Sequence, residues 1–163
     1  MLMAEKLTHE FKPVYNRESR ILILGTFPSV KSRQCNFYYG HPQNRFWKVL
    51  ATIFGEGVPK TVEDKKDFLL KNKVAIWDVI QSCTIEGSSD SSIRDVVPSD
   101  ITEILKNADI KCIYGNGAKA CELYKKYIFP TTNREIVKLP STSPANAVCN
   151  MEKLVKQWSA IKL

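Results

Sequence analysis

The chain has 163 residues, 44% of them hydrophobic, which is enough to bury one core and points to a single domain over residues 1–163. Lys and Arg number 24 against 17 Asp and Glu, and the net charge of +7 favours polyanionic partners without bearing on the fold. The five cysteines (Cys35, Cys83, Cys112, Cys121, Cys149) are scattered and form no CxxC pair, and the two histidines, His9 and His41, lie far apart, so a disulfide framework, a metal site and an iron–sulfur cluster are all unexpected.

In chain order, the opening MLMAEKLTHE carries acidic side chains and no apolar run of signal-peptide length. No later stretch approaches the roughly 18 apolar residues of a bilayer span, and a cytoplasmic protein is expected. Residues 20–24 form the first of four short Ile/Val-rich runs, the others being 74–80, 110–114 and 135–139. None alternates cleanly between apolar and polar, which suits strands of a parallel sheet covered on both faces. Residues 44–54 place Phe46, Trp47, Leu50, Ala51 and Phe54 on one helical stripe. The polar stretch 86–92 reads as an ordinary surface turn. Residues 100–108 repeat the helical spacing behind Pro98, Ser99, Asp100 and Glu103, the pattern of a capping box. Met151, Leu154, Val155 and Trp158 form a last amphipathic helix.

Strands alternating with helices give βαβ units and a three-layer α/β/α sandwich on a central four-stranded parallel sheet. In such folds the site lies outside the carboxyl ends of the strands, which here are residues 25–40, 78–94, 115–117 and 140–146. The first of these opens with Gly25, Thr26, Phe27, Pro28 and Ser29. Neither a GxxxxGK[ST] phosphate loop nor a GxGxxG fingerprint occurs in that turn. Phe37, Tyr38 and Tyr39 follow before Gly40; three adjacent aromatics cannot all point into one core, so at least one faces the cleft as a stacking platform. His41 to Asn44 lead into a helix, and Asn44 is either a helix-entry residue or a functional one. Arg45 and Lys48 lie on the exposed side, against phosphate or water. The fourth segment, Pro140, Ser141, Thr142, Ser143, Pro144, Ala145 and Asn146, reads as a stiff loop with free backbone amides at a helix start, either an anion site or a plain N-cap.

These segments together resemble the uracil-DNA glycosylase superfamily, and within it the hypoxanthine-DNA glycosylase branch, over roughly residues 20–160. Gly25 to Ser29 correspond to the superfamily's glycine-headed first motif. His41 to Trp47 match the HPxNRFW string of the mismatch-specific branch, and Pro140 to Asn146 correspond to the second motif. The first turn lacks the Asp or Asn that other branches carry there, since Phe27, Pro28 and Ser29 fill the place. The resemblance therefore implies that Asn44 is the catalytic residue, its amide oxygen accepting from the attacking water while its NH₂ holds a backbone carbonyl. It implies that Gly25, Thr26, Phe27, Tyr39 and Asp78 contact the base, with Tyr39 stacking on it, and that Pro28, Ser29, Ser141, Thr142, Ser143, Pro144 and Asn146 contact DNA. For Asp78 two readings stand, acceptor for a purine N1–H or cap of the next turn. The implied activity is hydrolysis of the N-glycosidic bond of deaminated bases in DNA by a monomer that needs no cofactor. The alternatives are a uracil- or mismatch-specific enzyme and a non-catalytic nucleic-acid binder of the same fold.

Overall fold

A computed structural model describes residues 4–163, so Met1 to Met3 of the opening stretch lie outside the described residues. The four apolar runs supply β2 (Ile21–Gly25), β3 (Val74–Asp78), β6 (Cys112–Asn116) and β7 (Ile136–Leu139), which form one parallel sheet in the order β3-β2-β6-β7. β2 is central, aligned with β3 at Ile23↔Ile76 and with β6 at Ile23↔Tyr114, and all five of its residues are buried. Successive side chains leave a strand on opposite faces, so the sheet supports two cores. Ile21, Ile23, Val74, Ile76 and Tyr114 enter one of them, with Phe46, Leu50, Leu69 and Trp158. Leu22, Leu24, Ala75 and Ile113 enter the other, with Ile104, Leu123 and Tyr124.

The first core is roofed by α2 (Phe46–Phe54), α3 (Val62–Lys71) and α7 (Met151–Trp158), the second by α4 (Thr102–Asn107) and α5 (Ala118–Tyr127). This is the α/β sandwich the alternation of strands and helices predicts. Two short helices, α1 (Val30–Cys35) and α6 (Phe129–Thr132), lie after β2 and α5.

A second sheet departs from the expectation. β1 (Ala4–Thr8), β4 (Ile80–Glu86) and β5 (Arg94–Pro98) form an antiparallel sheet in the order β1-β4-β5, where the sequence shows no strand beyond Ile80 and a surface turn over 86–92. The apolar run 74–80 is split between the two sheets. At Val79 the chain leaves β3, its N–H bonding Gly25 O at 2.8 Å, and Ile80 begins β4. Ile80, Cys83 and Ile85 then pack into the second core.

The expected capping box does not form. Asp100 Oδ1 accepts from Thr102 N at 3.1 Å and from the Thr102 hydroxyl, while Ser99 is buried and its hydroxyl has no partner. With the helix starting at Thr102, Asp100 rather than Ser99 is within reach of the first free N–H. Among the described residues no helix is long and apolar enough to cross a membrane, and all five cysteines are unpaired.

Candidate active site

The carboxyl ends of β2, β3 and β6 and the loop after β7 surround a cavity of about 160 Å³. A single water needs about 10–15 Å³ by the same measure, so the space admits a larger ligand. Gly25, Thr26, Phe27, Pro28 and Ser29 line one side, Tyr39 and Asn44 another, Asp78 the floor, and Ser141, Thr142 and Ser143 the far wall. Pro144 and Asn146 do not border it; Pro144 is exposed, and Asn146 faces an adjoining shallow pocket with Gly117 and Lys138.

Gly25 ends β2, where the chain must pass close beneath other groups. A Cβ there would collide with Asp78 Oδ1 and lie 2.9 Å from the Tyr39 hydroxyl, so both oxygens occupy the space above this glycine. Gly25 and Thr26 carbonyls accept from Val79 and Ile80, and the N–H groups of Thr26 and Phe27 donate to none of the described residues. Ser29 caps α1, its hydroxyl accepting from Ser32 N at 3.2 Å. Arg33 ties this turn to the loop after β4, donating to Pro28 O at 2.8 Å and Gly87 O at 3.1 Å, with its guanidinium 5.8 Å from the Phe27 ring centre.

Of the three consecutive aromatics, Phe37 and Tyr38 are buried and Tyr39 is only half-buried. The Tyr39 ring stacks on Phe46 with centroids 4.0 Å apart. Its backbone has φ +52, a left-handed conformation costly for a side chain of this size. Its hydroxyl is buried and has no partner, and burial first, then the charge of Asp78, push its pKa well above the ordinary tyrosine value. The hydroxyl therefore keeps its proton.

Asn44 sits in a directional hydrogen-bond chain. Asn116 Nδ2 donates to Thr142 Oγ1 at 3.0 Å, and Thr142 N donates back to Asn116 Oδ1 at 3.0 Å. Having accepted from Asn116, the Thr142 hydroxyl donates its own proton to Asn44 Oδ1 at 2.8 Å. Phe46 N, at the first turn of α2, donates to the same oxygen at 2.9 Å. Both lone pairs of Asn44 Oδ1 are thus occupied, and the amide nitrogen is the group left for the cleft. This reverses the expected orientation, in which the oxygen meets a water. The helix-entry reading is realised in part, because the same oxygen accepts the first N–H of α2 although Arg45, not Asn44, holds the cap position.

Two other expectations change. Arg45 is not a free surface cation, because its guanidinium donates to Ser143 O at 2.9 Å, Asn146 O at 3.0 Å and Cys149 O, clamping the loop after β7 onto the start of α2. Most amides of that loop are not free either. Thr142 N bonds Asn116, Ser143 N bonds Ser141 Oγ, Ala145 N bonds Ser143 Oγ, and Asn146 N bonds Ser143 O. The final helix starts only at Met151, capped by Asn150, whose Oδ1 accepts from Lys153 N at 2.9 Å. Any anion held by this loop would meet side chains rather than a helix N-terminus.

Asp78 caps no turn. Its Oδ2 lies 2.8 Å from His9 Nε2, both side chains being buried, and its other oxygen faces the cleft. His9, Asn116 and Arg45 are among the residues that sequence reasoning leaves out of the site, as are the cavity-lining Ser32, Ser88 and Asp90. Asn116 has a legible signal, since it lies in the 115–117 segment at the carboxyl end of a strand, and Arg45 lies within the His41 to Trp47 string; His9 has none. Among the described residues no group of three or more His, Cys, Asp or Glu is placed to hold a metal ion.

Residues 12–162 match the family model described as the uracil DNA glycosylase superfamily. A hypoxanthine DNA glycosylase of Methanosarcina acetivorans is 33% identical over 153 residues, covering 93% of this chain and 95% of that protein. One of Methanosarcina barkeri is 36% identical over 115 residues, 69% of this chain and 72% of that protein. The solution NMR structure of a candidate uracil DNA glycosylase from Methanosarcina acetivorans superposes with a TM-score of 0.79 at 33% identity, over 93% of both chains. The family model spans nearly the whole chain and the relatives share its fold: the chain belongs to the uracil DNA glycosylase superfamily.

Proposed function

We propose that this chain is a monofunctional DNA glycosylase of the hypoxanthine type, one domain acting as a monomer in the cytoplasm, that releases deaminated bases from DNA without a cofactor. The observation that carries the reading is Asn44. Its amide is fixed by Thr142, Asn116 and Phe46 and turned towards a cavity whose floor holds Asp78. The two relatives named as hypoxanthine DNA glycosylases support the same reading.

A base inside a duplex is reached only by flipping it out, at a cost of a few kcal/mol that is least for a mispaired base, and deaminated bases are mispaired by origin. In the cavity Tyr39 offers a ring, Asp78 an acceptor, and the unengaged amides of Thr26 and Phe27 two donors for negative charge on the departing base. Bond cleavage leaves an oxocarbenium-like sugar. Asn44 NH₂ holds a water by one lone pair so that the other attacks the sugar, and the proton the water sheds completes the released base. An amide is no general base, so turnover is slow. The net charge of +7 and the Ser141, Thr142 and Ser143 side chains at the rim suit the phosphates that flank the flipped nucleotide.

The test is an oligonucleotide assay with inosine or uracil in single- and double-stranded DNA, with chelator present and abasic sites revealed by alkali. Inosine-containing strands give abasic product. DNA binding without release of any deaminated base would make the chain a binding module instead.

A further inference from the structure

His9 belongs to none of the motifs that carry the resemblance, yet its buried side chain lies directly behind Asp78, which lines the site. It follows directly on β1, where its N–H bonds Gln81 O at 2.7 Å. The imidazole is fully buried and walled by the rings of Phe11, Tyr38 and Phe27 at 4.5, 5.8 and 6.1 Å. Nε2 meets Asp78 Oδ2 at 2.8 Å, and Nδ1 has no partner. A proton on Nδ1 would be a buried donor without an acceptor, an uncompensated loss that the neutral Nε2–H tautomer avoids. The single proton on Nε2 therefore goes to Asp78.

This contact fixes how the carboxylate is turned. Oδ2 is drawn inward to His9, and Oδ1 is left over Gly25 in the cavity, near the Tyr39 hydroxyl. Deamination changes what a base offers such an acceptor. Adenine N1 and cytosine N3 carry a lone pair, whereas hypoxanthine N1 and uracil N3 carry a hydrogen. A carboxylate oxygen held at that ring nitrogen gains a hydrogen bond from the damaged base and faces a lone pair in its parent.

We infer that His9 is a specificity-determining positioning residue: by donating Nε2–H to Asp78 Oδ2 it holds Oδ1 towards the base edge, so that the site admits bases whose ring nitrogen bears a proton and rejects their parents. The inference rests on the glycosylase reading, with Asp78 as the base reader.

The experiment measures equilibrium binding to two duplexes whose target nucleotide resists hydrolysis, 2′-fluoroarabino-inosine and 2′-fluoroarabino-adenosine, alongside release of hypoxanthine from an ordinary inosine duplex. The wild type prefers the inosine duplex. His9→Ala reduces that preference by about tenfold to a hundredfold, the range of a hydrogen bond to a charged group, through weaker inosine binding with adenosine binding unchanged or tighter. His9→Gln, whose amide can donate to Oδ2, restores most of the preference. His9→Asn, too short to reach it, does not, and stands in if the alanine variant fails to fold. An unchanged preference in His9→Ala and His9→Asn overturns the inference, as does equal weakening on both duplexes or a failure of His9→Gln to restore. Where the wild type releases hypoxanthine and the preference is unchanged in the variants, the His9 role alone falls; where the wild type releases none, the glycosylase reading falls and takes this role with it.

Discussion

Replacing Asn44 separates structure from chemistry, because its oxygen and its nitrogen do different things. In Asn44→Ala the Phe46 N–H loses its cap, worth about 0.5–2 kcal/mol. The Thr142 hydroxyl, on a residue with no solvent exposure, loses its acceptor, worth about 1–3 kcal/mol. A combined loss of about 1.5–5 kcal/mol lowers the melting temperature by roughly 3–20 °C for a chain of this size. The missing amide nitrogen costs the chemical step about 10² or more, at least ~2.7 kcal/mol of barrier, with little change in DNA affinity. Asn44→Asp keeps an oxygen for both donors and adds a negative charge beside the start of α2, so it melts within about 1 kcal/mol of wild type. It removes the donor and sets a second carboxylate near Asp78, against the negative charge that develops on the leaving base, and cleavage falls at least about tenfold. Single-turnover cleavage of an inosine duplex and thermal melting of each variant measure the two effects. Wild-type cleavage by Asn44→Ala at a lowered melting temperature would show a helix cap and nothing more; wild-type cleavage by Asn44→Asp would refute the donor role.

Gly25→Ala drives a methyl into Asp78 Oδ1 and the Tyr39 hydroxyl and should cut single-turnover excision at least about tenfold; an unaffected rate means the two oxygens are not part of base recognition. Tyr39→Phe keeps the ring on Phe46 and removes a buried hydroxyl that has no partner, so it melts no lower than wild type, whereas Tyr39→Ala weakens binding of an uncleavable inosine duplex by about 1–3 kcal/mol. Arg45→Lys cannot reach three carbonyls at once, and amide hydrogen exchange across residues 141–149 should accelerate while that in β2 is unchanged. Burial pushes the Cys83 and Cys121 thiols up in pKa, so at pH 8 an alkylating reagent labels exposed Cys35 in the native protein and reaches those two only after unfolding, a difference mass spectrometry reads directly.

The parallel sheet was legible because its inner strands are covered on both faces and must be apolar, as ILILG in β2 is, and even the edge strand β7, with Val137 and Lys138 exposed, keeps an Ile/Val-rich run. β1, AEKLT, and β5, RDVVP, are half-exposed, and β5 pairs irregularly with β4, so neither produces an apolar run and the antiparallel sheet went unread. α3 buries only Phe68 and Leu69 of its ten residues, too few for a helical stripe to stand out. At the site, Gly25, Tyr39, Asn44, Asp78 and the Ser141 to Ser143 turn all border one cavity, because strand ends and the loops after them converge in this architecture. The orientation of Asn44 was not legible, since it depends on Thr142 and Asn116, which only the fold brings to it. His9 was hidden for the same reason: its partner is 69 residues away, on a different sheet.

The clamp made by Arg45 has a consequence for engineering. The HPQNRFW string and the Pro140 to Asn146 turn, about a hundred residues apart in sequence, are halves of one object, since the first supplies the guanidinium and Asn44 oxygen that the second is hung from. A chimera that imports either half from a relative brings a loop without its hanger or a hanger without its loop. Recombination between members of the superfamily should therefore yield active hybrids where both halves descend from one parent, and crossovers between residues 47 and 140 should be depleted among the survivors unless the two parents agree at Arg45, Asn44 and Thr142.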